Sequence, residues 1–177
     1  IKNHQIAYLE GYLWDNEKAK KAMKKMIDIC KADHQKIAFT LSDLFCVDRH
    51  RDSFKELIIN DVDILFGNQD EFSSMVNSKN LDDGITYAKS LNNLSVLTLA
   101  EKGSLIIANN EVIEIAAESV NKVVDTTGAG DLYAAGFLYG LTHQKNYQES
   151  GHLASIASAE IISHFGARPK VKLSSLI

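Results

Sequence analysis

The segment VVDTTGAGDLYAAGFLYG, residues 123–140, places a carboxylate directly after a loop that has almost no side chains. Gly128, Ala129 and Gly130 leave the backbone N–H groups at the start of a predicted helix uncovered. A helix N-terminus carries a partial positive charge, so anions bind there readily. These residues are therefore predicted to form an anion hole from backbone alone. The segment has neither the GxxxxGK[ST] nor the GxGxxG pattern, so it predicts a different kind of phosphate site.

Asp131, in the first turn of that helix, has two interpretations. As a structural residue, it complements the helix dipole and stabilises the helix by ~0.5 kcal/mol. As a general base beside a bound phosphate, it accepts the proton of a substrate hydroxyl that attacks a phosphoryl group. The residues of this segment alone leave both interpretations open.

A second candidate lies in FGNQDEF, residues 66–72, where Asn68 and Glu71 follow a short apolar run. Asn-x-x-Glu before a helix is the pattern of a capping box, in which each side chain binds the backbone of the other residue. The carboxyl end of a strand in an open α/β sheet is also where ligands bind. The two roles are compatible.

The remaining elements predict how these groups are positioned. Strands are predicted over 5–14 with its exit, 36–43, 62–68, 94–100 and 104–117, the last being two strands joined by a turn at Asn109–Asn110. Helices are predicted over 16–32 with Asp15 as N-cap, 54–59, 70–76, 82–91, 129–142 and about 146–164. This alternation predicts a single α/β domain over 1–177, with a mostly parallel sheet and an antiparallel hairpin at one edge. The helix 129–142 is apolar nearly all round and is predicted to be buried.

Composition excludes several classes of protein. The 177 residues carry a formal net charge of −4, and the one dense basic run, 18–25, has the pattern of a solvated helix face, so we expect no nucleic-acid partner. Cys30 and Cys46 form no C-x-x-C pattern, and neither is taken to have a His at ligand spacing, so we expect no zinc site. No signal peptide or apolar run of transmembrane length is found, so we expect a cytoplasmic protein without a membrane partner.

The segment VVDTTGAGDLYAAGFLYGL resembles the second signature of the PfkB, or ribokinase-like, carbohydrate kinases. The similarity extends from about residue 5 to 170, and the chain looks closest to bacterial sugar and adenosine kinases. The resemblance implies a ribokinase-like three-layer α/β/α fold. It also implies that Asp131 is the catalytic base and that the backbone of 128–130 is the anion hole. Asn68 and Glu71 match the N-x-x-E motif, which implies a role in binding magnesium, through water, and nucleotide phosphate.

Three further residues are implied in nucleotide binding. Thr98 and Gly103, in LTLAEKGSL, match the family's T-x-G-x-x-G turn, although Ala100 stands where glycine is usual. Ser155 matches a position near the adenine, where the family often has Asn. The structural alternatives are a strand with a tight turn for Thr98 and Gly103, and close helix packing for Ser155.

The resemblance also touches a monovalent cation site. Asp125, Thr127 and Gly166 match positions that help to hold K⁺ in relatives that use it. Lys170 falls where such relatives often offer an oxygen ligand, and its ammonium could replace the cation's charge. The alternative for these residues is an ordinary turn.

The implied function is ATP- and Mg²⁺-dependent phosphoryl transfer to a hydroxyl of a sugar or nucleoside. The family's N-terminal half, with its Gly-Gly motif and lid, is missing, so the chain corresponds to the C-terminal part of a kinase domain. We therefore expect the chain alone to be a poor kinase. Because family members often dimerise through the lid, the resemblance also implies that the full-length protein can form a homodimer. The alternatives are a non-catalytic nucleotide-binding module or inactive fragment, and an unrelated α/β anion-binding domain.

Overall fold

A computed structural model describes residues 4–176 of the chain as a six-stranded sheet with helices, in the spatial order β1-β2-β3-β4-β5-β6. The sheet is mostly parallel with antiparallel pairs, which confirms the predicted fold class. Parallel pairing sets Ile6 against Lys36 between β1 and β2, and Ala38 against Ile64 between β2 and β3. The strands are β1 Ile6–Glu10, β2 Lys36–Thr40, β3 Ile64–Asn68, β4 Leu94–Thr98, β5 Ser104–Ala108 and β6 Glu111–Ile115.

Six α-helices and three short 3-10 helices accompany the strands within the described residues. The α-helices are α1 Glu17–Ala32, α2 Leu44–Asp61, α3 Gln69–Met75, α4 Leu81–Ser90, α5 Ala129–Thr142 and α6 Tyr147–Ile162. The 3-10 helices are Gly11–Asp15, Ala100–Lys102 and Leu173–Ser175. Within residues 4–176, no helix combines the length and the apolar character needed to cross a membrane.

Side-chain caps begin all of these α-helices except α5. The capping residues are Asn16, Asp43, Asn68, Asn80 and Asn146. Each side-chain oxygen accepts a backbone N–H that the helix itself cannot satisfy. Helix α5 begins at Ala129, and Gly128, which stands in the capping position before it, makes no such bond. Its first N–H groups therefore have neither an intrahelical acceptor nor a side-chain cap.

The prediction of Asp15 as the cap of α1 is wrong. Asn16 is the last extended residue before the helix, and its Oδ1 accepts the N–H groups of Lys18 and Ala19 at 2.9 and 3.2 Å. The carboxylate of Asp15 binds Arg49 and His50 instead. Helix α2 is also longer than the predicted 54–59, because Asp43 accepts the Cys46 N–H at 2.7 Å and starts the helix at Leu44.

The described residues form two compact units, residues 4–97 with 107–112 and residues 98–106 with 113–176. In the first unit, Phe54 packs edge-to-face on Trp14 and Phe39, with ring centroids 6.0 and 5.0 Å apart. All three aromatic side chains are buried. These contacts bring together the 3-10 helix after β1, strand β2 and helix α2.

The core of the second unit includes the close pair α5 and α6. A Cβ on Gly136 would lie 2.7 Å from the Cα of Ala154, and one on Gly140 would lie 2.8 Å from the Cα of Ser150. Glycine at these two positions therefore lets the helix backbones touch. The prediction that α5 is buried all round holds for one face only, because Phe137 is buried while Tyr139 is 48% exposed.

The turn between β5 and β6 falls at the predicted residues. Asn109 and Asn110 have φ angles of 51° and 67°. Two consecutive residues with positive φ define the turn that suits the twist of a two-residue hairpin, and asparagine tolerates this conformation well.

Candidate active site

Asp125 organises the loop that leads into α5. Its Oδ1 accepts the Thr127 N–H at 2.9 Å and the Thr127 hydroxyl at 2.6 Å, and its Oδ2 accepts the Gly166 N–H at 3.0 Å. The Thr127 hydroxyl, with the N–H groups of Gly166 and Thr127, lowers the pKa of Asp125 to about 2. The carboxylate is therefore charged at neutral pH and fixes the loop from within.

The three residues predicted for a monovalent cation are thus brought together by the structure. Both oxygens of Asp125 already accept hydrogen bonds from Thr127 and Gly166. The backbone N–H of Lys170, in the segment that follows, donates to Glu160 Oε1 at 2.9 Å. Cation binding at this loop stays a prediction.

Gly128 and Gly130 differ in what the fold requires of them. Gly128 has φ 82°, a left-handed conformation that side chains disfavour, and a Cβ there would lie 3.2 Å from the Cβ of Ala167. Gly130 lies within α5, has no unusual φ, and a Cβ there would meet nothing within 4 Å. Packing therefore explains glycine at 128 but not at 130.

Asp131 follows in the first turn of α5, with its side chain exposed. The uncapped N–H groups of this turn and the carboxylate thus lie at one helix end. An anion held by those N–H groups would lie near an available proton acceptor. The roles of this turn as an anion hole and of Asp131 as the base stay predictions.

In the first unit, Asn68 and Glu71 form the predicted capping box at the start of α3. Asn68 Oδ1 accepts the Glu71 N–H at 2.9 Å, and Glu71 Oε2 accepts the Asn68 N–H at 3.0 Å. Glu71 Oε1 also accepts from Asn68 Nδ2 at 2.7 Å. The Glu71 residue is only 5% exposed. Both carboxylate oxygens are therefore engaged in a nearly buried network.

Burial raises the pKa of Glu71 from 4.5 to about 7. The Asn68 N–H opposes this shift, whereas the charges of Asp43 and Asp70 add to it. Sequence reasoning missed Asp43, whose charge acts on Glu71 and whose side chain also caps α2. The available signal was the position of Asp43 just before an apolar helical run.

The turn after β4 explains Gly103 by backbone geometry. Gly103 O accepts the Leu99 N–H at 2.8 Å, and the residue has φ 89° and ψ −130°. A Cβ on Gly103 would lie 1.9 Å from Ile115 O, which excludes every other residue type. Ala100 has φ 53°, a left-handed conformation that costs a non-glycine residue about 1 kcal/mol. A role of Thr98 and Gly103 in nucleotide binding stays a prediction.

Ser155 has a structural contact that sequence reasoning did not identify. Its hydroxyl accepts the Glu118 N–H at 2.7 Å and donates to Ala116 O at 3.2 Å. The residue is buried in α6 and holds the segment that follows β6. The hydroxyl proton of Ser155 is therefore already used by Ala116 O, and a position of Ser155 near an adenine stays a prediction.

Comparison with known proteins identifies the class to which this fold and these loops belong. The sequence model described as pfkB family carbohydrate kinase matches residues 1–173, and the chain belongs to this family. The residues of the α5 loop and of the Asn68–Glu71 pair lie within the match.

Individual relatives carry the names of sugar and nucleoside kinases. The chain is 38% identical to the solved adenosine kinase from Sinorhizobium meliloti, with a TM-score of 0.94, and 35% identical to a probable sugar kinase from Rhizobium etli, with a TM-score of 0.96. It is 31% identical over 113 residues to a nucleoside kinase from Methanocaldococcus jannaschii, an alignment that covers 63% of this chain and 36% of that protein.

The chain spans about half the length of its solved relatives. The two structural matches cover 99% of this chain, but only 54% of the Sinorhizobium chain and 53% of the Rhizobium chain. About half of each of these relatives therefore lies outside the part that aligns with this chain.

Proposed function

We propose that this protein takes part in phosphoryl transfer from ATP to a hydroxyl of a sugar or nucleoside, as the nucleotide-side part of one α/β kinase domain. The observation that carries the proposal is the start of α5. It alone among the described α-helices lacks a side-chain cap, and Gly130 occupies an open position where the fold does not require glycine. A phosphoryl group that approaches the backbone closely accounts for both features.

In this mechanism the N–H groups of residues 128–130 stabilise the charge that develops on the transferred phosphoryl group. Because Asp125 holds the preceding loop, the backbone of these residues is in place before the reaction. The Ala129 N–H donates to Thr126 O at 3.1 Å, so it would be shared between that oxygen and the phosphoryl group. Asp131 accepts the proton of the acceptor hydroxyl as that oxygen attacks phosphorus. Thr98, Gly103 and Ser155 would lie along the nucleotide.

The oxygen donors of Asn68 and Glu71 fit the preference of Mg²⁺ for carboxylate, amide and water oxygens. Both Glu71 oxygens already bind Asn68, so these two residues would hold the ion through water. When bound, Mg²⁺ would supply positive charge that offsets the charge of the phosphate groups. Asp125, with Thr127 and Gly166, would hold a monovalent cation if one is used, because its charge is fixed at neutral pH.

Calorimetric titration with a non-hydrolysable MgATP analogue tests the binding half of the proposal. We expect saturable binding by the protein and none by Gly128→Asp, which places a carboxylate at the anion hole. Ala135→Asp serves as the control, because it adds a carboxylate to an exposed position of the same helix away from its first turn. Equal binding by the protein and Gly128→Asp would contradict an anion site at the start of α5.

Asp131→Asn tests the chemical half, in the longest natural form of the protein, by ADP release with adenosine and ribose as acceptors. We expect turnover to fall by roughly 10²–10⁴-fold, the usual contribution of a general base, with the affinity for the analogue retained. A variant with near-normal turnover would show that Asp131 only complements the helix dipole. Nucleotide binding without turnover on any acceptor would favour the second candidate, a non-catalytic binding module.

A further inference from the structure

Three side chains with metal-binding atoms converge in the first unit, outside the kinase motifs. Asp15 ends the 3-10 helix that follows β1, while Cys46 and His50 lie on α2. One ligand atom from each, the Cys46 Sγ, a His50 ring nitrogen and an Asp15 carboxylate oxygen, all lie within 4.8 Å of one another. We propose that Asp15, Cys46 and His50 form a binding site for a divalent transition metal ion of the zinc type.

The spacing of the two α2 ligands supports the proposal. Cys46 and His50 are four residues apart, so they lie on the same face of the helix, one turn from each other. From the sequence we expect no zinc site, since the cysteines form no C-x-x-C pattern and neither is taken to have a His at ligand spacing; the i, i+4 spacing of Cys46 and His50 contradicts the second ground. The third ligand comes from a separate element, which only the fold brings near.

The distances require only small movements to accept an ion. Zinc–ligand bonds of about 2.0–2.3 Å at tetrahedral angles place ligand atoms roughly 3.5 Å apart. Asp15 Oδ1 and His50 Nε2 are 2.6 Å apart and would separate by about 1 Å. Cys46 Sγ lies within 4.8 Å of the other two ligand atoms, so it would approach them by at most roughly 1.3 Å. A set of one sulfur, one nitrogen and one oxygen ligand favours zinc-like ions over Mg²⁺.

The three proposed ligands differ in burial and in their charged neighbours. Cys46 is fully buried, whereas the Asp15 side chain is 42% exposed, so a bound ion would be reached from solvent on the Asp15 side. Arg49 donates to both oxygens of Asp15, to Oδ2 at 2.7 Å and to Oδ1 at 3.1 Å. Its bond to Oδ1 would give way to the ion, while its bond to Oδ2 would keep orienting the carboxylate. To bind the ion, the Cys46 thiol must lose its proton, which it holds tightly because burial and the charges of Asp15 and Asp43 raise its pKa to about 11. Coordination removes that proton outright.

Titration with Co²⁺ alone tests the site, using reduced protein freed of metal by a chelator. We expect saturable binding of one equivalent with a thiolate-to-cobalt charge-transfer band, which Zn²⁺ then abolishes by competition. Cys46→Ala should lose the band. Cys30→Ala is the matched control, since Cys30 is also a fully buried helical cysteine, and it should keep the band.

His50→Gln is the second variant, in case Cys46→Ala does not fold, since the His50 side chain is partly exposed. We expect it to fold, by circular dichroism, and to bind Co²⁺ more weakly by more than the 10–100-fold typical of losing an outer partner. Absence of saturable binding, or a band that survives in Cys46→Ala, would overturn the proposal. The cluster would then be an ion pair of Asp15 with Arg49 and a hydrogen bond of Asp15 with His50. Neither result depends on the kinase activity.

Discussion

Gly130→Ala separates what the fold needs from what the proposed reaction needs. A Cβ at this position meets nothing within 4 Å, and the residue is helical, so the substitution adds no clash or strain. Alanine is favoured over glycine by about 1 kcal/mol in a helix interior, and we expect roughly half of that in the first turn. For a chain of this size this corresponds to a rise in Tm of about 1–2 °C.

The same methyl group would stand where a phosphoryl group must approach the backbone. Loss of one anion-hole donor typically lowers kcat by about 10²–10³-fold, so partial obstruction at Gly130 should lower it at least about tenfold. Ala135→Gly, at an exposed position of the same helix, is the reciprocal control, and should lower Tm while keeping turnover. Thermal unfolding and ADP release measure both properties. Full turnover in Gly130→Ala would refute the reasoning, and a fall in Tm would refute the open space.

Two further predictions concern the fold. Gly103→Ala should unfold the turn after β4 or prevent folding, because its Cβ would overlap Ile115 O. Gly166→Ala, also at positive φ but in open space, should lower the free energy of unfolding in urea by only about 1 kcal/mol. Similar losses of stability in the two variants would contradict the clash. The raised pKa of Glu71 means that the folded state binds its proton more tightly, so the free energy of unfolding should fall as the pH rises from about 4.5 to 7, by about 3 kcal/mol, and level off above pH 7. Glu71→Gln should lack this slope, and an identical slope in both proteins would show that Glu71 ionises normally.

Features set by neighbouring residues could be predicted from the sequence. The capping box of Asn68 and Glu71 depends on residues three apart, and the turn at Asn109–Asn110 on two adjacent asparagines. The alternation of apolar runs likewise predicted the strands and the fold class. For Asp131 the local pattern left two roles open, a partner of the helix dipole and a general base, and the resemblance to the family favoured the base.

Features set by distant residues could not be predicted. Asp15 has the residue type of a helix cap, but Arg49 and His50 occupy its carboxylate once α2 has packed. Ser155 looks like a small residue near a ligand, but its hydroxyl is bonded to the backbone of Ala116 and Glu118. The raised pKa of Glu71 depends on burial, which no local pattern reports.

The glycine contacts between α5 and α6 have a consequence for precision. Gly140 is ten residues beyond Gly130, so about 15 Å of continuous helix separates that contact from the open backbone position. A helix with backbone-to-backbone contact can neither slide along its axis nor rotate without a collision at Gly136 or Gly140. The contacts at Gly136 and Gly140 therefore fix the position of the first turn, although they lie towards the opposite end of the helix. A larger side chain at Gly140 would displace the predicted anion hole without altering any residue in it.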